Sequence, residues 1–268
     1  MSSAPADDLP RRCDLLRTMH RPGEPLLLPN AWDVATARAV VAAGFPAVAT
    51  TSGGVAAVLG YEDHEQAPAA EMLAAAARIA RGVDVPVTVD AEAGYGMEPA
   101  ELVAALHASG AAGCNLEDTD HEAGSLRDPD RHAAWLGEVR RAATDAGYPL
   151  VINARVDLFL APFLAGADPA GQADLVDDAV RRANAYLDAG ADCVYPIALS
   201  DAGALRGFMS GVAGAVNVTC LPSTASLDEL AQLGVARVSW ATLLHRDAMA
   251  HLQGRLGTLR TDPAMQSP

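Results

Sequence analysis

The sequence predicts an α/β protein folded as a single-domain (β/α)8 TIM barrel. Three observations carry that expectation: eight short apolar runs, helical spacing between them, and polar residues set just past the ends of the runs. The runs lie at 26–28, 47–51, 85–89, 112–116, 150–154, 192–195, 215–219 and 235–240. Each is short enough for a buried strand, and helical periodicity marks 34–43, 69–81, 99–109, 131–146, 174–189, 200–209 and 226–233. Several of these helices run into the next strand through a small-residue turn ending at Gly44, Gly110, Gly190 or Gly234, residues suited to a left-handed helix end. No glycine-rich phosphate loop follows the first strand, which favours a closed barrel over an open doubly wound sheet.

The chain divides into an N-terminal extension with a first helix (1–24), the barrel (25–260) and a tail expected to be disordered (261–268). At 268 residues and 50% hydrophobic side chains, one large core is enough for one domain. The formal net charge of -15 argues against nucleic acid and anionic membranes as partners. An anionic metabolite would have to be held locally, by backbone amides, one or two arginines or a metal. Cys13, Cys114, Cys193 and Cys220 are far apart and show no C-x-x-C spacing, which suggests a reducing compartment. With no signal-peptide stretch and no run of about 18 apolar residues, a soluble cytoplasmic protein is expected.

A barrel takes its functional groups from the C-terminal ends of its strands. There the sequence places Asn30 and Asp33, Thr51 and Ser52, Asp90 and Glu92, Glu117 and Asp118, Asn153 and Arg155, and Asn217 and Thr219. Singly, Asp90 or Glu117 reads as a helix cap, and Arg155 as a salt-bridge partner of Asp157 or Glu117. Together, Asp63, Asp90, Glu92 and Glu117 would repel one another unless protonated or bridged by a cation. Hard oxygen donors select Mg²⁺, with Mn²⁺ as an alternative. Arg155, ending a buried strand, adds an anion receptor to the same mouth. Tyr95 either contacts substrate or packs over its loop.

The segments Pro29-Asn30-Ala31-Trp32-Asp33, Thr51-Ser52-Gly53-Gly54, Gly60-Tyr61-Glu62-Asp63, Asp90-Ala91-Glu92-Ala93-Gly94-Tyr95-Gly96, Asn115-Leu116-Glu117-Asp118 and Asn153-Ala154-Arg155-Val156-Asp157 occur in an order that resembles the isocitrate lyase and phosphoenolpyruvate mutase superfamily. The similarity spans about 28–240. The resemblance implies that Asp90 is the direct Mg²⁺ ligand while Asp63, Glu92 and Glu117 hold its waters, Glu92 standing where Asp is commoner. It further implies that Ser52, Gly53 and Gly54 bind a substrate carboxylate, that Arg155, Tyr95 and Glu117 serve catalysis, and that Asn217 and Thr219 match an N-x-T which binds a second carboxylate.

The chain lacks the K-K-C-G-H or K-R-C-G-H loop of the lyase branch and the E-D-K loop of the mutase branch. It reads Thr119-Asp120-His121-Glu122-Ala123-Gly124-Ser125-Leu126-Arg127-Asp128 instead. His121, Ser125, Arg127 and His64 are candidates for the missing groups, each also readable as a solvated loop residue. The expected activity is Mg²⁺-dependent cleavage or decarboxylation of a small 2-oxo or 2-hydroxy (di)carboxylate through a metal-stabilised enolate. Phosphonopyruvate hydrolysis or phosphoenolpyruvate mutation is the alternative within catalysis, and 2-oxo acid binding without turnover the alternative outside it. By resemblance the chain forms a homo-oligomer, dimer or tetramer, with one helix over 242–259 and a shortened or absent exchanged helix beyond it.

Overall fold

The computed structural model describes residues 8–261. In chain order its elements are α1 (Leu9–Thr18), β1 (Leu26–Leu28), β2 (Asn30–Ala31), α2 (Val34–Ala42), β3 (Val48–Thr50), α3 (Ser52–Leu59), α4 (Ala69–Arg81), β4 (Val87–Asp90), α5 (Pro99–Ser109) and β5 (Gly113–Leu116). Then come β6 (Thr119–Asp120), β7 (Ser125–Leu126), α6 (Pro129–Asp145), β8 (Val151–Val156), α7 (Leu160–Leu164), α8 (Val176–Asp188), β9 (Cys193–Pro196), α9 (Ala202–Gly211), β10 (Ala215–Thr219), α10 (Leu227–Gln232), β11 (Arg237–Ser239) and α11 (Leu243–Thr261).

The parallel sheet runs β1-β11-β10-β9-β8-β5-β4-β3-β2. Its two ends are consecutive pieces of chain: Leu26 lies opposite Arg237 on one side, and Asn30 opposite Ala49 on the other. Pro29, which has no N–H to give a ladder, separates β1 from β2. The two form one stave, and counting them so leaves eight staves in a closed (β/α)8 barrel.

Local chemistry sets the helix ends. Asp33 and Thr36 form a reciprocal capping box on α2, as Ser226 and Glu229 do on α10. Gly110 and Gly190 carry φ of 78° and 105° at the turns into β5 and β9, a conformation that an L side chain resists.

Beneath the barrel, α1 buries Cys13 and Leu16. Arg17 donates from Nη2 to the Pro149 carbonyl at 3.0 Å and from Nε to Asp192 at 2.8 Å, while Arg12 reaches the Val83 carbonyl at 3.2 Å. These acceptors lie at or just before the N-terminal ends of β4, β8 and β9, so α1 closes that end and leaves the other as the accessible mouth. The barrel interior is unusually polar. Arg237 is buried and donates to Asn115 Oδ1 at 3.1 Å, and Asn153 Nδ2 donates to the same atom at 2.9 Å.

Four expectations need correction. The Ser52-Gly53-Gly54 segment is the first turn of α3, not a bare turn. The 119–128 segment carries the antiparallel pair β6 and β7, with Thr119 opposite Leu126. An unexpected short helix, α7, comes after β8. Thr261, assigned to the tail, closes α11; the rest of that tail, 262–268, lies outside the described residues, as do residues 1–7. No described helix is long and apolar enough to cross a membrane. All four cysteines are free thiols.

Candidate active site

A cavity of about 150 Å³ opens at the C-terminal mouth of the barrel. Of the residues singled out in the sequence, Asn30, Thr51, Ser52, Asp63, His64, Asp90, Glu117, Arg155 and Thr219 line it, together with Asn115. Gly53, Gly54, Glu92, Tyr95 and Asn217 are not on its wall. Each has a physical reason for lying elsewhere.

Asp90 ends β4 and is held from two sides. Its backbone N–H donates to Thr50 Oγ1 at 2.8 Å, and its Oδ2 accepts the Ser52 N–H at 3.1 Å. Ser52 therefore offers its amide to Asp90 here, not to a substrate carboxylate. A side chain at Gly53 would run into Asp63 Oδ2 at 2.6 Å, and one at Gly54 into Thr51 at 2.7 Å. These glycines permit the close packing of α3 against Asp63 and Thr51. Asn217 is wholly buried in a mutual contact with Ser239, Nδ2 donating to Ser239 Oγ at 3.2 Å, so it does not receive a second carboxylate. Thr219 exchanges a hydrogen bond with the Tyr195 hydroxyl at 2.7 Å.

Glu92 accepts the Glu65 N–H at 2.5 Å, and Glu65 in turn accepts the Tyr95 N–H at 2.6 Å. The two carboxylates lace the 62–66 loop to the 92–96 loop. Burial pushes the Glu92 carboxyl up to about 8, with the charges of Asp90, Asp63 and Glu117 adding to the push. Burial likewise raises the Tyr95 phenol, which packs against the core.

Arg155 is clamped by Asp157, donating from Nε to Oδ1 at 2.8 Å and from Nη2 to Oδ2 at 3.0 Å; its Nη1 donates to Glu117. Arg155 is thus ion-paired and also lines the cavity. Burial raises the Glu117 carboxyl while Arg155 opposes the rise. His121 Nε2 lies 3.1 Å from Glu117. Burial disfavours the His121 cation, but the bond to Glu117 and its charge outweigh that and raise the pKa. Asp118 is turned away, accepting from the Tyr186 hydroxyl at 2.7 Å, Arg182 at 3.0 Å and the Asp157 N–H at 2.8 Å.

Strain concentrates at this mouth. The non-glycine residues with positive φ among the described residues are His64 (68°), Glu65 (58°), Glu92 (48°), Tyr95 (57°), Ala198 (64°) and Ala241 (49°), and all lie in connections beyond strand C-termini. Three of them, His64, Ala198 and Ala241, line the cavity.

The donor set fits a hard cation. Asp63 Oδ1 and Asp90 Oδ1 are buried acceptors without a hydrogen-bond partner, which is costly unless a cation or its water occupies them. Among the described residues no three acidic, His or Cys side chains converge tightly enough to ligate one ion together.

Fold and site together define a TIM-barrel protein with a carboxylate-rich, arginine-bearing cavity at its C-terminal mouth. The chain belongs to the phosphoenolpyruvate phosphomutase family, whose model matches residues 16–259. It is 35% identical over 221 residues to the uncharacterized protein Rv1998c of Mycobacterium tuberculosis, covering 82% of this chain and 79% of the relative. To Probable 2-methylisocitrate lyase 1 of Corynebacterium glutamicum it is 33% identical, covering 87% and 76% respectively. A solved structure provisionally described as a phosphonomutase, from Burkholderia cenocepacia J2315, superposes with a TM-score of 0.84 at 40% identity, covering 92% of this chain and 99% of that one.

Sequence reasoning missed Glu65, α7 and Arg246 of α11, the last of which also lines the cavity. Glu65 carries no motif signal, because its role depends on a left-handed backbone at a non-glycine residue. Leu160, Phe163 and Leu164 of α7, and Arg246, carry a positional signal only: they lie in the connections beyond strand ends, where apolar residues reach the mouth as readily as polar ones.

Proposed function

We propose that this protein is a Mg²⁺-dependent enzyme that cleaves or decarboxylates a small 2-oxo or 2-hydroxy acid through an enolate. The observation that carries the reading is the pair of unpartnered carboxylate oxygens, Asp63 Oδ1 and Asp90 Oδ1, on residues of the cavity that Arg155 also lines. Relatives named as a 2-methylisocitrate lyase and an oxaloacetate decarboxylase support carbon–carbon chemistry, the latter, from Bradyrhizobium, being 28% identical over 211 residues.

Asp90 would hold the cation directly, with Asp63 and Glu117, which share the cavity wall, holding its water, while Glu92 braces the loop that carries Asp63. When bound there, the ion supplies the positive charge that favours an enolate over its protonated form. The protein's own groups do the positioning. The Ser52 amide fixes one oxygen of Asp90 and so orients the other. Asp157 holds Arg155 by two bonds, leaving its remaining edge toward Glu117 and a substrate carboxylate. His64, on the cavity wall, would deliver a proton at an imidazole nitrogen to the carbon that loses its substituent.

The test is incubation of purified protein and Mg²⁺ with a panel of 2-oxo and 2-hydroxy acids, monitoring pyruvate, glyoxylate and CO₂. Release of one of these, abolished by Asp90→Asn, is the expected result. Conversion of phosphonopyruvate to a phosphate ester or free phosphate, seen by phosphorus NMR, would replace it with phosphorus–carbon chemistry. Tight binding of a 2-oxo acid without any product would make the chain a binding protein.

A further inference from the structure

The cavity has two unlike halves. Asn30, Ser52, Asp63, Asp90, Glu117 and Arg155 line the side formed by β2 to β8. The side that continues from β8 to β11 carries the apolar side chains of Leu160, Phe163, Leu164, Ile197, Leu221 and Leu243, while its hydroxyls are engaged with neighbours, Tyr195 with Thr219, Ser239 with Asn217 and Thr242 with Thr51. A substrate held by its carboxylate and oxo group on the first side must extend its remaining atoms across the second.

Nothing built for a second carboxylate lies within that second half. Asn217, which the sequence suggested for the purpose, is wholly buried and committed to Ser239; Thr219 is committed to Tyr195. The charged group on this side is Arg246, on an exposed turn of α11, at the lip and not in the depth of the cavity. Phe163 and Leu164 remain 39% and 62% exposed, an apolar surface that a ligand arm would cover. Leaving such side chains in water at the edge of a polar site is unfavourable by the same area that an apolar arm would remove.

We propose that this site selects a 4-hydroxy-2-oxo acid whose far end is a hydrocarbon arm, packed on Leu160, Phe163, Leu221 and Leu243, in place of a second carboxylate, so that breaking the C3–C4 bond releases the arm as an aldehyde and the enolate carbon takes up the proton that the 4-hydroxyl gives up. The inference rests on the reading of the polar half as a metal-dependent oxo-acid site. Each methylene fully buried there strengthens binding about fourfold.

The experiment is calorimetric titration of the full chain, with Mg²⁺ present, by pyruvate, 4-methyl-2-oxopentanoate and 2-oxoglutarate, with oxalate as a control for the polar half. The branched acid is expected to bind at least tenfold more tightly than pyruvate. Phe163→Ala, which removes apolar contact without bringing a charge beside the ligand carboxylate, should cut the branched acid's advantage over pyruvate, both measured in the variant, by at least about threefold. Tighter binding of 2-oxoglutarate than of the branched acid, lost in Arg246→Ala, would overturn the proposal and make the substrate a diacid read at the lip. If neither pyruvate nor oxalate binds, the oxo-acid reading of the polar half fails first, a result that the pyruvate and oxalate titrations separate from a wrong choice of arm.

Discussion

The Ser52 amide donates to Oδ2 of Asp90 at 3.1 Å while Oδ1 of the same carboxylate, though buried, accepts nothing. One helix N-terminus therefore orients a carboxylate so that its second oxygen faces an unmet electrostatic need. The favourable interaction of a carboxylate with the first turn of α3 fixes how Asp90 presents its second oxygen.

Metal binding should accordingly stabilise the fold. With Mg²⁺ at about a hundred times its dissociation constant, linkage gives about 2.7 kcal/mol. For a chain of this size that raises the melting temperature by roughly 5–10 °C. Asp90→Asn keeps the shape and one acceptor but removes the charge, and it should abolish the rise. Differential scanning fluorimetry with Mg²⁺, Mn²⁺ and EDTA measures it; an undiminished shift in the variant would place the ion elsewhere.

Arg155 supports a second prediction. Its guanidinium satisfies two oxygens of Asp157 and one of Glu117 at once, a planar task that an ammonium group cannot perform. Arg155→Lys should fold but lower kcat/KM by about a hundredfold or more, equivalent to the loss of a charge-assisted pair of roughly 3 kcal/mol. Circular dichroism establishes folding, and the kinetics of the reaction identified by the substrate panel give the ratio. Retention of full activity in the lysine variant would reduce Arg155 to a structural ion pair.

The sequence made the barrel legible because period and position agree: each buried run is short, several helices end at a small-residue turn, and Asp90, Glu117 and Arg155 all fall at strand ends. The features that stayed hidden depend on three-dimensional register. Ser52 to Gly54 reads equally well as a turn or as a helix start. Asn217 and Thr219 both point inward from β10, yet Asn217 sits one layer below the mouth and meets Ser239. Glu65 acts through a left-handed backbone that no residue type signals. The polar interior around Arg237 was concealed for the same reason, since alternation along β11 marks a face but not the depth of a side chain within the barrel.

Stability should fall in mild acid because of His132. Both its ring nitrogens are buried without a partner, and the ring lies between Trp135 at 5.5 Å and Tyr186 at 5.0 Å. Burial, reinforced by the charges of Arg127 and Arg182 and opposed by Asp157, lowers its pKa from 6.5 to about 3. Between these values the unfolded chain binds the proton and the native one does not. The stabilisation is therefore complete above about pH 6.5 and is lost progressively as pH falls toward 3. The limiting slope is about 1.4 kcal/mol per pH unit. Urea midpoints at pH 7 and pH 5 for the native protein and His132→Phe measure it. The variant should lose less stability over that interval, and equal losses would assign the acid sensitivity to other groups.

Association through α11 is expected from its surface. Met249, Leu252 and Leu256 are 41%, 48% and 55% exposed and recur at helical spacing, so they form one apolar stripe on a helix of 19 residues. Leu243 and Arg246, at the start of the same helix, line the cavity. A stripe of this kind is stable in water when it packs against another surface, and the family resemblance supports a second copy as that surface, in a dimer or tetramer. Leu252→Glu places a charge at the centre of the stripe without touching the barrel, so it should reduce the assembly to monomer while leaving the melting profile of the barrel in place. Because α11 also frames the cavity, dissociation should weaken substrate binding more than it slows turnover at saturation. Light scattering with substrate titration tests both parts: a native protein that is already monomeric would reject the assembly, and a dissociated variant with unchanged KM would separate the interface from the site.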